Sequence, residues 1–277
     1  MKKTLSQWLA TQILPRNESQ MLLQHITGYT RAQLITHDQE ILTEQQINQL
    51  NTLAKRREQG EPMAYLLGTR EFYGREFTVS PAVLIPRPET EHLLEAALLR
   101  LPENGVLWDL GTGSGILGIS TKLERKDSLV FASDLSADAL QVAQKNAQHL
   151  GADVAFAQGS WFDAARVFRL PENSVDVLVS NPPYIENNDL HLNQGDLRFE
   201  PQTALTDFSD GLAHIKILIE HGKNYLKPNG WLLLEHGYNQ AVAVRQLFEQ
   251  NDYQLIETQQ DLAGLDRITF GQIPTQL

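Results

Sequence analysis

Val106-Leu107-Trp108-Asp109-Leu110-Gly111-Thr112-Gly113-Ser114-Gly115 is a short apolar run that breaks into alternating glycines, and a helical pattern from Ile116 to Lys122 follows it. A strand that turns sharply into a helix is the opening unit of an α/β domain. The glycines allow a tight turn and let a ligand lie against the main chain, while the helix start offers unpaired N–H groups. The spacing is Gly-x-Gly-x-Gly and not the Gly-x-Gly-x-x-Gly of dinucleotide sites. No Lys-Ser/Thr pair of a phosphate loop follows. Pyrophosphate is therefore not the favoured ligand.

Downstream of the glycine turn, apolar runs alternate with helical patterns. Leu129 to Ser133, Val154 to Ala157, Val175 to Ser180 and Trp231 to Glu235 read as strands, and Ser136 to Leu150 and Leu212 to Leu226 as helices. With a helix from Thr90 to Leu101 before the first strand, the expected fold is α/β: a doubly wound, mostly parallel sheet with helices on both faces. Gln254 to Glu257 and Arg267 to Phe270 are expected as edge strands. Residues 185–210 are polar, without a period, and read as a lid over a substrate site.

Upstream, residues 1–70 read as a small helical bundle. Leu5, Leu9 and Ile13 keep helical spacing, and Met21, Leu22 and Ile26 make a second face ended by Gly28. Thr43-Glu44-Gln45-Gln46 has the spacing of a capping box ahead of Ile47, Leu50, Leu53 and Ala54. A hairpin around Tyr73-Gly74-Arg75 and the proline-rich Pro81 to Pro88 form the expected linker, residues 71–88. The catalytic domain is then 89–277.

Composition sets bounds on this reading. The 277 residues contain no cysteine, which excludes a disulfide framework, a thiolate metal site and a Cys nucleophile. No run reaches the roughly 20 apolar residues of a membrane span, and the first residues do not read as a secretion signal, so a cytoplasmic protein is expected. The net charge of −11 is uneven: residues 1–75 hold nine Lys/Arg against seven Asp/Glu, and the acidic excess lies in the rest. An acidic catalytic half is a poor match to a phosphate backbone, so nucleic acid is not expected as the main ligand. The eight histidines contain no His-x-x-x-His pair, and no metal is expected.

Two further features carry chemistry. Asp134 ends the strand after the glycine turn, where a carboxylate can accept both hydroxyl hydrogens of a ribose. With the glycines, it points to an adenosine-containing cofactor lacking phosphates at the loop. Asn181-Pro182-Pro183-Tyr184 sits at the carboxyl end of the fourth strand, where open parallel sheets bind ligands. The Asn oxygen and a proline carbonyl can accept both hydrogens of a planar NH₂ group, and neither proline has an N–H to donate. Tyr184 offers an aromatic face.

The set Gly111 to Gly115, Asp134 and Asn181-Pro182-Pro183-Tyr184, preceded by Pro86-Arg87-Pro88-Glu89-Thr90-Glu91, resembles the HemK/PrmC family of protein-glutamine methyltransferases over nearly the whole chain. The resemblance implies a seven-stranded Rossmann-like methyltransferase domain and an N-terminal bundle that recognises substrate. It implies S-adenosylmethionine as cofactor, lined by Gly111, Thr112, Gly113, Ser114 and Gly115, with Asp134 on the ribose, Trp161 beside the adenine and Asn181 near both cofactor and substrate. Asn181, Pro182, Pro183 and Tyr184 are then expected to grip the glutamine of a Gly-Gly-Gln motif in peptide chain release factors, with Asn181, Pro182 and Tyr184 as the catalytic set. Glu200-Pro201 also matches the family, with no chemistry assigned to it. Alternatives are a ribosomal-protein glutamine methyltransferase, an adenine amino-group methyltransferase acting on nucleic acid, and a non-catalytic scaffold. A monomer is expected.

Overall fold

Residues 3–275 are described by the computed structural model, and the chain divides into two compact units between Thr69 and Arg70. The first unit is helical: α1 (Leu5–Ala10), α2 (Arg16–Thr27), α3 (Arg31–Thr36), α4 (Glu44–Glu58) and α5 (Met63–Leu67). Thr4, Thr30 and Thr43 each form a capping box with the glutamine three residues on, so that backbone donors at three helix starts are satisfied locally. Trp8, Leu22, Leu23 and Leu50 fill the centre. Two expectations change here. Helix α1 ends at Ala10, which leaves Ile13 outside it and 87% exposed; the buried face of α2 runs through Ser19, Leu22 and Leu23, which turns Met21 outward.

The second unit opens on a hairpin, β1 (Thr69–Phe72) and β2 (Arg75–Thr78), whose turn residues Tyr73 and Gly74 both have left-handed backbones at φ 49° and 72°. Phe72 and Phe77 meet edge to face and are fully buried, and Val83 and Ile85 are buried beyond them. Residues 71–88 are thus part of this unit's packing.

There follow α6 (Thr90–Arg100), β3 (Val106–Leu110), α7 (Ile116–Glu124), β4 (Leu129–Asp134), α8 (Ala137–Leu150), β5 (Ala155–Gln158), α9 (Ala165–Phe168), β6 (Val175–Ser180), α10 (Ala213–Gly222), β7 (Leu226–Glu235), α11 (Ala241–Gln250), β8 (Gln254–Gln260) and β9 (Asp266–Gln272). The seven-stranded sheet has the order β5-β4-β3-β6-β7-β9-β8, with β9 antiparallel to both its neighbours and the other pairings parallel. Successive residues feed opposite faces: Leu107 joins the core with Leu93, Leu94 and Ile119, and Trp108 joins the core with Ile215, Leu218 and Phe248. This two-sided burial explains why the strands read as unbroken apolar runs.

Two boundaries differ from the sequence reading. Of the expected edge strands only β8 is one; β9 is sandwiched, with Ile268 and Phe270 buried, because the last hairpin folds back between β7 and β8. Helix α10 ends at Gly222, and Leu226 opens β7 opposite Val175. No helix among the described residues is long and apolar enough to cross a membrane.

The chain winds outward from β3 through β4 to β5 and then returns to lay β6 on the other side of β3. Ligands bind in such sheets beyond the carboxyl ends of the strands flanking this switch. Here those ends carry Gly111 and Asn181. Gly115 serves the packing of the helices behind the turn. Its φ is 88°, and a Cβ there would lie 2.5 Å from Ile119 Cδ1 and 3.2 Å from Ala143 Cβ, so only glycine lets α7 start this close to α8.

Candidate active site

A cleft of about 540 Å³ opens over the β3–β6 switch, and Gly111, Thr112, Gly113, Ser114, Asp134, Trp161, Asn181 and Pro183 all line it. Gly115, Pro182 and Tyr184 do not. Arg87 is the one basic side chain besides His214 among the lining residues, so phosphate has little to bind there.

The glycine turn is held from beneath by a residue that the motif reading passed over. Asp109, near the end of β3 and only 1% exposed, accepts from Thr112 Oγ1 at 2.6 Å and from the Gly118 amide at 3.0 Å. Burial pushes its carboxyl up to about 7, against the pull of those donors. A lone carboxylate inside an otherwise apolar strand was the signal for it. Above the turn, Gly113 has φ 56° and nothing within 4 Å of a Cβ position, leaving its surface open. Its N–H donates to Asp134 Oδ2 at 2.9 Å, and the Ser136 N–H donates to Asp134 Oδ1 at 2.8 Å. Each carboxylate oxygen thus has one backbone donor and a lone pair left for an incoming hydroxyl. Burial raises the Asp134 pKa, and these amide donors oppose the shift.

Trp161 opens a 3₁₀ turn, Trp161–Ala164, with a left-handed backbone at φ 46°. Such a conformation is costly for a tryptophan and is held only where surroundings enforce it. The ring stands against Gly111, whose Cβ would come within 3.4 Å of Trp161 Cζ3, and tilts onto His214 with centroids 5.1 Å apart. The indole thus packs on Gly111, and both line the cleft together with Asp134.

On the β6 side, Ser180 Oγ donates to the Leu110 carbonyl at 2.6 Å, tying the ends of β6 and β3 together. Asn181 Nδ2 donates to Thr90 Oγ1 at 3.2 Å, and Thr90 Oγ1 donates to Glu235 Oε2 at 2.7 Å. Thr90 is the first residue of α6, and Glu89, at the cap, makes no side-chain cap bond. Tyr184 turns away from the cleft into the Trp108 core, its hydroxyl donating to Glu235 Oε1 at 3.3 Å and its carbonyl accepting from Gln240 Nε2 at 3.0 Å. Burial, then Glu235, raises the Tyr184 phenol well above its ordinary value and keeps it protonated. No described residue donates to the Pro182 carbonyl.

Glu200, without an assigned role in the sequence, has a structural one. Its fully buried carboxylate accepts from the Ile85 amide at 2.9 Å and pairs with Arg87, so that the 185–210 stretch is tied to the segment before α6. That stretch is built of three 3₁₀ turns, Leu190–Asn193, Leu197–Phe199 and Gln202–Ala204, and a bridge from Ile185 to Thr206. Pro201, Thr203 and Ala204 place it on the cleft wall.

Comparison with known proteins gives the same grouping. Residues 4–68 match the family model described as PrmC N-terminal domain, and residues 89–197 match the Methyltransferase small domain. The chain is 56% identical to a release factor glutamine methyltransferase of Neisseria gonorrhoeae, with 97% of each chain covered. It is 43% identical to that of Escherichia coli, covering 98% of this chain and 97% of the relative, and 46% identical to that of Bordetella pertussis, covering 97% and 99%. A methyltransferase structure from Pyrococcus furiosus shares the fold at a TM-score of 0.56 and 15% identity, covering 81% of this chain and 99% of that one. Taken with the glycine turn, Asp134 and the Asn-Pro-Pro-Tyr loop around one cleft, this full-length likeness shows that the chain belongs to the release factor glutamine methyltransferase family.

Proposed function

We propose that this protein transfers a methyl group from S-adenosylmethionine to the side-chain amide nitrogen of the glutamine in the Gly-Gly-Gln motif of peptide chain release factors, and so modulates translation termination. The observation that carries the reading is that the glycine turn, Asp134, Trp161 and Asn181 all line one cleft. The residues present fit the cofactor: Asp134 retains acceptor capacity for ribose hydroxyls, the Trp161 indole lines the same cleft, and the glycine turn is open to close approach at Gly113. The cofactor supplies an electrophilic methyl on a sulfonium. No metal or covalent enzyme intermediate enters this scheme.

The nucleophile is the harder half of the reaction, because an amide lone pair is delocalised into its carbonyl. In this reading Asn181 Oδ1, on the cleft wall, and the carbonyl of its neighbour Pro182, which does not line the cleft as it stands, accept the two N–H hydrogens, which fixes the plane of the carboxamide and enriches nitrogen in electron density. Fixing a near-attack geometry in this way is worth about 7–11 kcal/mol of a barrier. With the cofactor bound, Asn181 and Pro182 would hold the amide nitrogen toward the methyl it supplies, and the nitrogen's surplus proton would pass to solvent water to restore a neutral amide. Asn181 and Pro182 stabilise the charge that develops before that loss. Tyr184, buried behind the loop, sets the path of the loop through Glu235 and Gln240.

The N-terminal helical unit, net positive through residue 75, is proposed to recognise the protein substrate. The 185–210 stretch is proposed as the lid, anchored through Glu200. Incubation with labelled S-adenosylmethionine and separate pools of release factors, ribosomal proteins and DNA should label the release factors, with mass spectrometry placing the methyl on the motif glutamine. Label in ribosomal proteins or DNA, with none in release factors, overturns the assignment.

A further inference from the structure

A carboxamide is nearly symmetric in shape, so the cleft works as an acceptor only if the oxygen of Asn181, and not its NH₂, faces the substrate. Something must decide between the two orientations. The deciding chain of hydrogen bonds begins at Glu235, at the end of β7, a fully buried carboxylate at the close of the apolar run Leu232-Leu233-Leu234. An ionised carboxylate accepts and never donates. Thr90, itself 0% exposed, must therefore point its one hydroxyl hydrogen at Glu235 Oε2, 2.7 Å away. That leaves Thr90 Oγ1 with lone pairs only, and the Asn181 group facing it at 3.2 Å must be the NH₂. The oxygen is then the end left over for the cleft that Asn181 lines.

We propose that Thr90 and Glu235 are positioning residues whose hydrogen-bond polarity sets the Asn181 carboxamide oxygen toward the substrate amide. The inference rests on Asn181 being the acceptor of that amide. It has a second consequence. If Glu235 takes up a proton, its carboxyl donates to Thr90 Oγ1, the hydroxyl hydrogen turns to Asn181, and the carboxamide flips to present its NH₂ to the cleft. Two donors then face each other, and the substrate amide loses its acceptor.

Burial pushes the Glu235 carboxyl up to about 7, with Thr90 and Tyr184 as donors pulling it down. The charged groups around it are Arg267 on β9, which favours the ionised form, and Glu89 before α6, which opposes it. On a third side stands the Tyr184 phenol, which remains protonated. His236, next in the chain, is engaged with Thr269 and the Gly237 carbonyl. The folded-state pKa lies above the ordinary glutamate value, so the ionised, competent form fills as pH rises through about 7 and empties as it falls. Methyl transfer should therefore have an acid limb centred near that pH.

The test compares Thr90→Val, Thr90→Ser, Glu235→Gln and Asn181→Ala in the full chain, with purified unmethylated release factor as substrate. Thr90→Val keeps shape and loses the hydroxyl; kcat should fall at least about tenfold while the dissociation constant for S-adenosylmethionine stays within about twofold. Thr90→Ser should restore kcat. The acid limb of kcat should be present in the unsubstituted protein and absent from Glu235→Gln. Independently of turnover, ¹³C-carboxyl NMR should show one glutamate titrating near pH 7, missing in Glu235→Gln and shifted upward in Thr90→Val, which removes a donor to the carboxylate. If Asn181→Ala is inactive but Thr90→Val keeps both kcat and the acid limb, the inference falls and the role of Asn181 stands. If Asn181→Ala turns over normally, the underlying reading of the site falls with it. Thr90→Ser and the NMR titration of the unsubstituted protein decide the matter if Thr90→Val does not fold, since a Glu235 carboxyl that stays protonated from about pH 5.5 to 8.5 cannot hold the Thr90 hydroxyl hydrogen and overturns the inference outright.

Discussion

Asn181→Ala should lower the rate of methyl transfer by about 10²–10³-fold, the range seen when a single preorganised group facing developing charge is removed. The loss belongs in kcat, because the acceptor acts on the nitrogen as it becomes a nucleophile and contributes less to initial docking of a large protein substrate. Stability should barely change. Asn181 makes one side-chain hydrogen bond, to Thr90, and Thr90 keeps its stronger partner Glu235 in the variant. The cost is about 1 kcal/mol, equivalent to a few degrees in a domain of this size. Single-turnover kinetics beside a thermal melt separates the two; an unchanged rate in a folded variant removes Asn181 from the mechanism.

Asp134→Ala should weaken S-adenosylmethionine binding by about 100-fold or more, because two hydrogen bonds from ribose hydroxyls to a carboxylate contribute about 1.5–3 kcal/mol each. The substitution also strips the Gly113 and Ser136 amides of their acceptor, so the glycine turn itself loosens. Calorimetric titration of the folded variant checks this. Affinity within about threefold of the unsubstituted protein would mean that the carboxylate serves the turn alone.

Much of this architecture was legible because its signals are local. The Thr43 capping box, the Tyr73-Gly74 turn and the alternation of apolar runs with helical patterns each depend on residues a few positions apart. Gly111, Gly113, Asp134 and Asn181 were legible as neighbours around one cleft for the same reason: each sits at or just past the carboxyl end of a strand, and the topology brings those ends together. What escaped was long-range. Thr90, Asn181 and Glu235 lie on three separate elements, and the sequence of α6 gives Thr90 the look of a cap. Glu200 looks like a loop residue until its carboxylate is seen buried against Ile85. The position of β9 inside the sheet escaped likewise, since strand order depends on how a hairpin folds back and not on the composition of either strand.

Tyr184, expected in the catalytic set, lies apart from the cleft that Asn181 lines. Its ring packs against the Trp108 core and its hydroxyl meets Glu235, so it acts on the loop that carries Asn181 and does not stand in the cleft. The stiffness of Pro182-Pro183 and the bonds from Glu235 and Gln240 then deliver one carboxamide and one carbonyl to the end of β6.

The claim that a glutamine amide is pinned at the carboxyl end of β6 is tested most directly by a structure of the protein with S-adenosylhomocysteine and a Gly-Gly-Gln release factor domain. The glutamine side-chain nitrogen should lie about 3 Å from both Asn181 Oδ1 and the Pro182 carbonyl oxygen. A glutamine seated in the cleft with its nitrogen beyond about 5 Å from both oxygens contradicts it.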